Sequence, residues 1–228
     1  MGLAGSSAII TATVRALMAF HGLDETVLPL ASLPSFVLSI EVAELGINAG
    51  LQDRVIQVYG GLVYMDFERS YLEAHGHGRY ERLPLERTPP LWLAYLADPS
   101  DSGKVHSTVR ARYDAADPEV VAGMAQFAEL TVAARTAIQA TDHARLGELM
   151  RANFALRRRL YGDSAIGDKM LRLIGIAEKH GVPAKFPGSG GAVIGLCTGD
   201  ADAMEGMQHE LEGHGCVFVI LTPSAELH

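Results

Sequence analysis

Two glycine- and serine-rich stretches carry the residue types that hold phosphate. Gly2-Leu3-Ala4-Gly5-Ser6-Ser7-Ala8 runs straight into a segment with helical spacing, and Lys185-Phe186-Pro187-Gly188-Ser189-Gly190-Gly191-Ala192 precedes a buried-type strand. Small residues let a backbone approach an anion closely. A helix opening just after such a loop aims free N–H groups and the positive end of its dipole at that anion. The first stretch meets both conditions, and its serines can offer a hydroxyl to a phosphate-bound Mg2+. A capped helix after a flexible tail would carry the same residues. The second stretch leads into a strand and has no helix dipole to offer, so a tight turn between helix and sheet is the plainer reading of its local pattern.

A carboxylate beside bound phosphates can hold Mg2+, and another can accept the proton of an attacking hydroxyl. Glu44, near a helix end, and Asp53, in the turn after Gly50, have the types and spacing for those two tasks. A solvated helix end and an N-cap would explain them as well. His75 and His77 have no further ligand at fitting spacing, which favours a solvent loop over a metal site. Arg157-Arg158-Arg159 reads as a solvated helix face, with an anion clamp as the alternative. Ser102-Gly103-Lys104-Val105 is not a Walker A loop, because the upstream glycine is missing and Val105 stands where Ser or Thr is needed. The nucleophile elbow G-x-S-x-G is absent.

The whole chain has the balance of a globular protein: 228 residues, 48% hydrophobic, 20% charged, net charge −8. No basic stripe interleaved with aromatics is present, which argues against nucleic acid as a partner. No apolar run reaches the roughly 18 to 20 residues of a membrane span. Cys197 and Cys216 each sit in or beside an apolar run, so they read as small core residues in a reducing compartment. A cytoplasmic protein with no membrane partner is expected, its oligomeric state unread.

These loops need elements to position them. Ile9, Ile10, Thr13, Val14, Leu17 and Phe20 recur at helical spacing and predict a helix over 6–20, capped by Ser6 or Ser7. Further helices are predicted over 36–45 and 54–59, with the turn 48–53 between them, and a strand over 62–67. The charged, His-, Gly- and Pro-rich stretch 68–90 reads as a domain boundary. Beyond it come a strand over 91–96, a polar loop at 98–104, helices over 118–141, 143–161 and 164–180, a strand over 192–197, a helix over 200–214 and a strand over 216–221. Helices packed on a small antiparallel sheet make this second part α+β.

In this order, with the acidic Gly50-Leu51-Gln52-Asp53 turn between the two loops, the sequence resembles the GHMP kinases. The first loop is similar to that family's second motif, around the ATP phosphates, and the second loop to its third motif. Ala43-Glu44-Leu45-Gly46-Ile47, Gly50 to Val55, Val58 to Val63 and Asp98 to Ser107 resemble the plant-type glucuronokinase branch.

The resemblance implies an α+β GHMP kinase fold in two domains. Residues 1–80 would be the remnant of an N-terminal ATP-binding domain, ribosomal protein S5 domain 2-like, and 91–228 a ferredoxin-like C-terminal domain. It implies an ATP-dependent sugar kinase that uses Mg2+ and acts on the anomeric hydroxyl of D-glucuronate, a small sugar acid. Another sugar kinase of the same fold and a non-catalytic fragment are the alternatives. By matched position, Gly2, Leu3, Ala4, Gly5, Ser6, Ser7 and Ala8 would cradle phosphate with Gly188, Ser189, Gly190 and Gly191. Ser7 and Glu44 would hold Mg2+, Asp53 would act as the catalytic carboxylate, and Lys104 would lie near the phosphates or the sugar. Arg54 or Arg157 would meet the uronate carboxylate. The family's first motif and the strands around adenine lie upstream of the second motif, so an N-terminally truncated form is expected.

Overall fold

A computed structural model describes residues 4–47, 49–96, 107–188 and 190–222. The chain divides into two compact units, Ala4–Leu85 and, among the described residues, 86–222. The first contains α1 (Gly5–Phe20), α2 (Leu33–Ser39), a π-helical turn (Ile40–Glu44), α3 (Leu51–Tyr59), β1 (Leu62–Asp66), α4 (Arg69–His75) and β2 (Arg79–Leu83). Val14 of α1, Leu33 and Val37 of α2, and Val55, Val58 and Tyr59 of α3 form its core. Leu33, Val37 and Glu41 fall on one buried face at four-residue spacing, which is how a helix lines up side chains.

Three boundaries differ from the expected ones. α2 opens at Leu33, with Pro34 in its first turn, where a missing N–H costs nothing. α3 begins at Leu51, so Asp53 sits in its first turn rather than in the connection before it. The stretch 68–90 contains the division between the two units, after Leu85, but it also holds α4 and β2, and β2 pairs antiparallel with β1, Leu62 opposite Leu83 and Asp66 opposite Arg79.

The second unit is built on an antiparallel sheet of order β4-β5-β3-β6, from β3 (Leu91–Leu96), β4 (Ala184–Lys185), β5 (Ala192–Leu196) and β6 (Cys216–Leu221). Its helices are α5 (Ser107–Asp114), α6 (Pro118–Gln139), α7 (His143–Tyr161), α8 (Asp163–Ile166), α9 (Asp168–Lys179) and α10 (Ala201–Gly213). Trp92, Leu173, Ile174, Val193, Met207 and Leu211 anchor one apolar core between sheet and helices. The helix expected over 164–180 is two helices, because Gly167 at φ 85° breaks the ladder between α8 and α9. α5 and the two-residue β4 are additions to the expected elements. The polar loop 98–104 lies outside the described residues. Among the described residues no helix is long and apolar enough to cross a membrane.

Candidate functional site

The start of α1 is organised by Ala4, which adopts a left-handed conformation at φ 60° and ψ 32° and gives its carbonyl to Ala8 N at 3.1 Å. A residue with a Cβ pays roughly 1–2 kcal/mol there. No serine side chain caps the helix: Ser7 is fully buried and its Oγ donates to Ala4 O at 2.9 Å. Ser6, one residue earlier, is exposed and points its hydroxyl across the unit to Glu41 Oε1, again at 2.9 Å.

Glu41 is an acid held inside. It opens the π-helical turn after α2 and is fully buried, with Arg54 Nε donating to its second oxygen. Arg54 is itself buried; its Nη1 donates to Gly50 O at 2.9 Å and lies 3.6 Å from Asp53 Oδ2. Burial pushes the Glu41 carboxyl up. Hydrogen bonds from Arg54 and Ser6, and the Arg54 charge, outweigh that and leave it below its ordinary value. An ionised carboxylate therefore sits behind the start of α1, held by one cation and one hydroxyl.

This geometry redistributes the expected roles. Glu44 lies at the exposed end of the π-helical turn, and the carboxylate that reaches the serine loop is Glu41. Ser6 makes that contact, while the Ser7 hydroxyl is spent on its own helix. Arg54 is turned inward onto Glu41, which removes it as a free receptor for a substrate carboxylate. Asp53 remains half exposed, at 55%, on the first turn of α3. Gly2, Leu3, Lys104 and Ser189 lie outside the described residues. His75 stacks on Tyr71 in a surface cluster with His77 and Arg79, and no group of three metal-ligating side chains occurs among the described residues.

In the second unit, Gly188, Gly190 and Gly191 form the turn between β4 and β5. Gly190 at φ 143° and Gly191 at φ 77° use conformations that side-chain-bearing residues rarely adopt. Gly191 O is tied to Leu96 N at 3.1 Å, which fixes the end of the turn to β3. From α7, Arg157 donates through Nη1 to Gly188 O at 2.8 Å and lies over the rings of Tyr161 and Phe186, at 5.1 and 5.3 Å. Arg158 pairs instead with Asp163, and Arg159 with Gln126. Of the arginine run, only Arg157 therefore faces the glycine turn.

The first unit thus pairs the serine at the start of α1 with a buried carboxylate, and the second unit carries a glycine turn. The profile of the GHMP kinases N terminal domain matches residues 1–61, and that of the GHMP kinases C terminal matches 134–210. The chain belongs to the GHMP kinase family. Its sequence is 42% identical over 214 residues to "Glucuronokinase 1" of Arabidopsis thaliana, covering 94% of this chain and 59% of that protein. It is also 42% identical over 217 residues to "Probable glucuronokinase 2" of the same plant, covering 95% and 59%. The chain thus spans 59% of the length of the curated relatives it matches. Its fold is like that of Lactococcus lactis galactokinase, solved with galactose, at TM-score 0.68 and 17% identity over 97% of this chain and 66% of that one.

Proposed function

We propose that this chain is part of a sugar kinase that transfers the γ-phosphoryl of ATP to the anomeric hydroxyl of D-glucuronate, giving glucuronate 1-phosphate and ADP. The observation that carries the reading is the buried Glu41 carboxylate joined to the Ser6 hydroxyl, with Asp53 on α3 lying 3.6 Å from Arg54, the cation that holds Glu41. The 42% identity to glucuronokinases supports the sugar acid as the substrate.

Phosphoryl transfer asks mainly for positioning and charge neutralisation. The N–H groups at the start of α1 suit the nucleotide phosphates. Mg2+ takes one or two carboxylates and leaves its other positions to water and phosphate. Ser6 Oγ and Glu41 Oε1 are two hard oxygen donors 2.9 Å apart, so they fit it better than Ser7 and Glu44. Bound there, the metal would neutralise phosphate charge.

Asp53 accepts the proton of the sugar hydroxyl as its oxygen bonds to phosphorus and ADP leaves. An anomeric hydroxyl is more acidic than an ordinary alcohol, and a carboxylate suffices for it. With Arg54 engaged by Glu41, Arg157 is the candidate of the two for the uronate carboxylate. A cytoplasmic setting agrees with two unpaired cysteines, Cys197 and Cys216.

The test is ADP release with Mg-ATP and D-glucuronate, from this chain and from a form lengthened at its N-terminus to match the relatives. Formation of glucuronate 1-phosphate is expected, with Asp53→Ala losing most of kcat and keeping nucleotide binding. Turnover of neutral sugars without glucuronate would overturn the substrate. Undiminished turnover in Asp53→Ala would remove its role.

A further inference from the structure

Among the described residues, neither Lys185 nor Arg157 has a carboxylate partner. Lys185 ends β4, largely buried, and makes no hydrogen bond or ion pair among the described residues. Burial, then the nearby Arg157 charge, push its amine down to about 8. Arg157 gives Nη1 to a backbone carbonyl, and its Nε is buried with no hydrogen-bond partner. Burial lowers its basicity too. The other charged pairs on these elements are complementary: Arg145 with Glu148, Arg158 with Asp163, Lys179 with Glu210.

Two like charges withdrawn from water beside each other oppose folding. Packing on Tyr161 and Phe186 and the bond to Gly188 account for Arg157 as a structural residue. They leave Lys185 unexplained, since an apolar side chain in that strand would be more stable. A site that concentrates unpaired, partly desolvated cations at a glycine turn is built for an anion.

We infer that Lys185 and Arg157 form an oxyanion clamp beside Gly188, which takes a carboxylate or phosphate group of a substrate. The inference deepens the kinase reading above and rests on it for the source of that group. The sugar acid supplies a carboxylate and the nucleotide a phosphate. Arg157 offers a planar fork and Lys185 a point charge, a combination that suits either.

The chain has four lysines, so 13C-dimethylation of their amines gives few signals to resolve. The Lys185 signal is identified by its loss in Lys185→Met and titrated against pH in the 228-residue chain. An oxyanion in the clamp raises its midpoint by about one unit or more, and Arg157→Met abolishes that rise.

D-glucuronate, inorganic phosphate and D-glucose are the three probes. A rise with glucuronate alone assigns the clamp to the sugar carboxylate. A rise with phosphate alone assigns it to the nucleotide. No rise with either anion, or an equal rise with glucose, overturns the proposal. A rise with glucuronate in a lengthened form that makes no glucuronate 1-phosphate would keep the clamp and discard the reaction.

Discussion

Ser6 and Glu41 stand 35 positions apart in the chain and meet at 2.9 Å, joining the opening turn of α1 to the π-helical turn after α2. The contact is made by a side chain open to solvent on one side and a fully buried acid on the other. It ties the start of α1 to the interior of the first unit.

Replacing Glu41 separates it from its neighbour. Glu41→Gln leaves the buried Arg54 guanidinium with only the half-exposed Asp53, 3.6 Å away, as a countercharge, a loss of up to about 3–5 kcal/mol. Glu44→Gln touches an exposed side chain and should stay within about 0.5 kcal/mol of the wild type. Urea midpoints of the two variants check this, and equal midpoints would remove Glu41 from the centre of the unit.

The two unusual ionisations act at opposite ends of the pH scale. Glu41 titrates lower in the folded chain than its ordinary 4.5, so its contribution is whole above that value and is lost as pH falls through the folded one. Lys185 is about 8 folded against 10.5 ordinarily. Between those values the unfolded chain holds the proton that the folded chain has released, so stability from this group rises with pH. Lys185→Met should therefore stabilise the chain at pH 7, by up to about 3 kcal/mol, and the advantage should shrink across that window. Melting curves of both proteins at stepped pH read the difference.

Gly195 in β5 lies where no side chain fits. A Cβ built there meets Pro183 O at 2.0 Å and Trp92 Nε1 at 2.5 Å, both at the centre of the second unit. Gly195→Ala must move backbone or a fully buried indole, which costs about 3 kcal/mol. The lowered melting temperature should come with a changed Trp92 emission, as the chain has a single tryptophan.

Ala4 is strained for a reason glycine would remove. Ala4→Gly relieves roughly 1–2 kcal/mol of left-handed strain and adds about 0.4–1 kcal/mol of unfolded-chain entropy. The strain term is the larger, so a gain of about half a kcal/mol is expected in chemical denaturation. A loss would mean that Ala4 does not hold this conformation in solution.

Much of this was legible in the residues. The helix after the first loop, the strands at 62–67, 91–96, 192–197 and 216–221, and the α+β character follow from apolar periodicity. β2 escaped because Arg79-Tyr80-Glu81-Arg82 is too polar to read as a strand until β1 is there to pair with it. The helix over 164–180 was too long because its Gly167 was not read as a break. Glu44 drew notice for its nearness to Asp53, but burial belongs to Glu41. The signal was present: Leu33, Val37 and Glu41 share one helix face, and an acid on an apolar face needs a partner. Lys185 was similarly marked by lying between Ala184 and Phe186, both buried.

Arg54 gives the first unit one more property. Because the guanidinium already neutralises Glu41, the carboxylate has a counter-ion that belongs to the fold itself. Proteins whose clustered acids face only a metal tend to loosen on chelation. Here the aim of the carboxylate is kept in readiness by a permanent tenant, so stripping divalent ions should leave the architecture of the first unit standing.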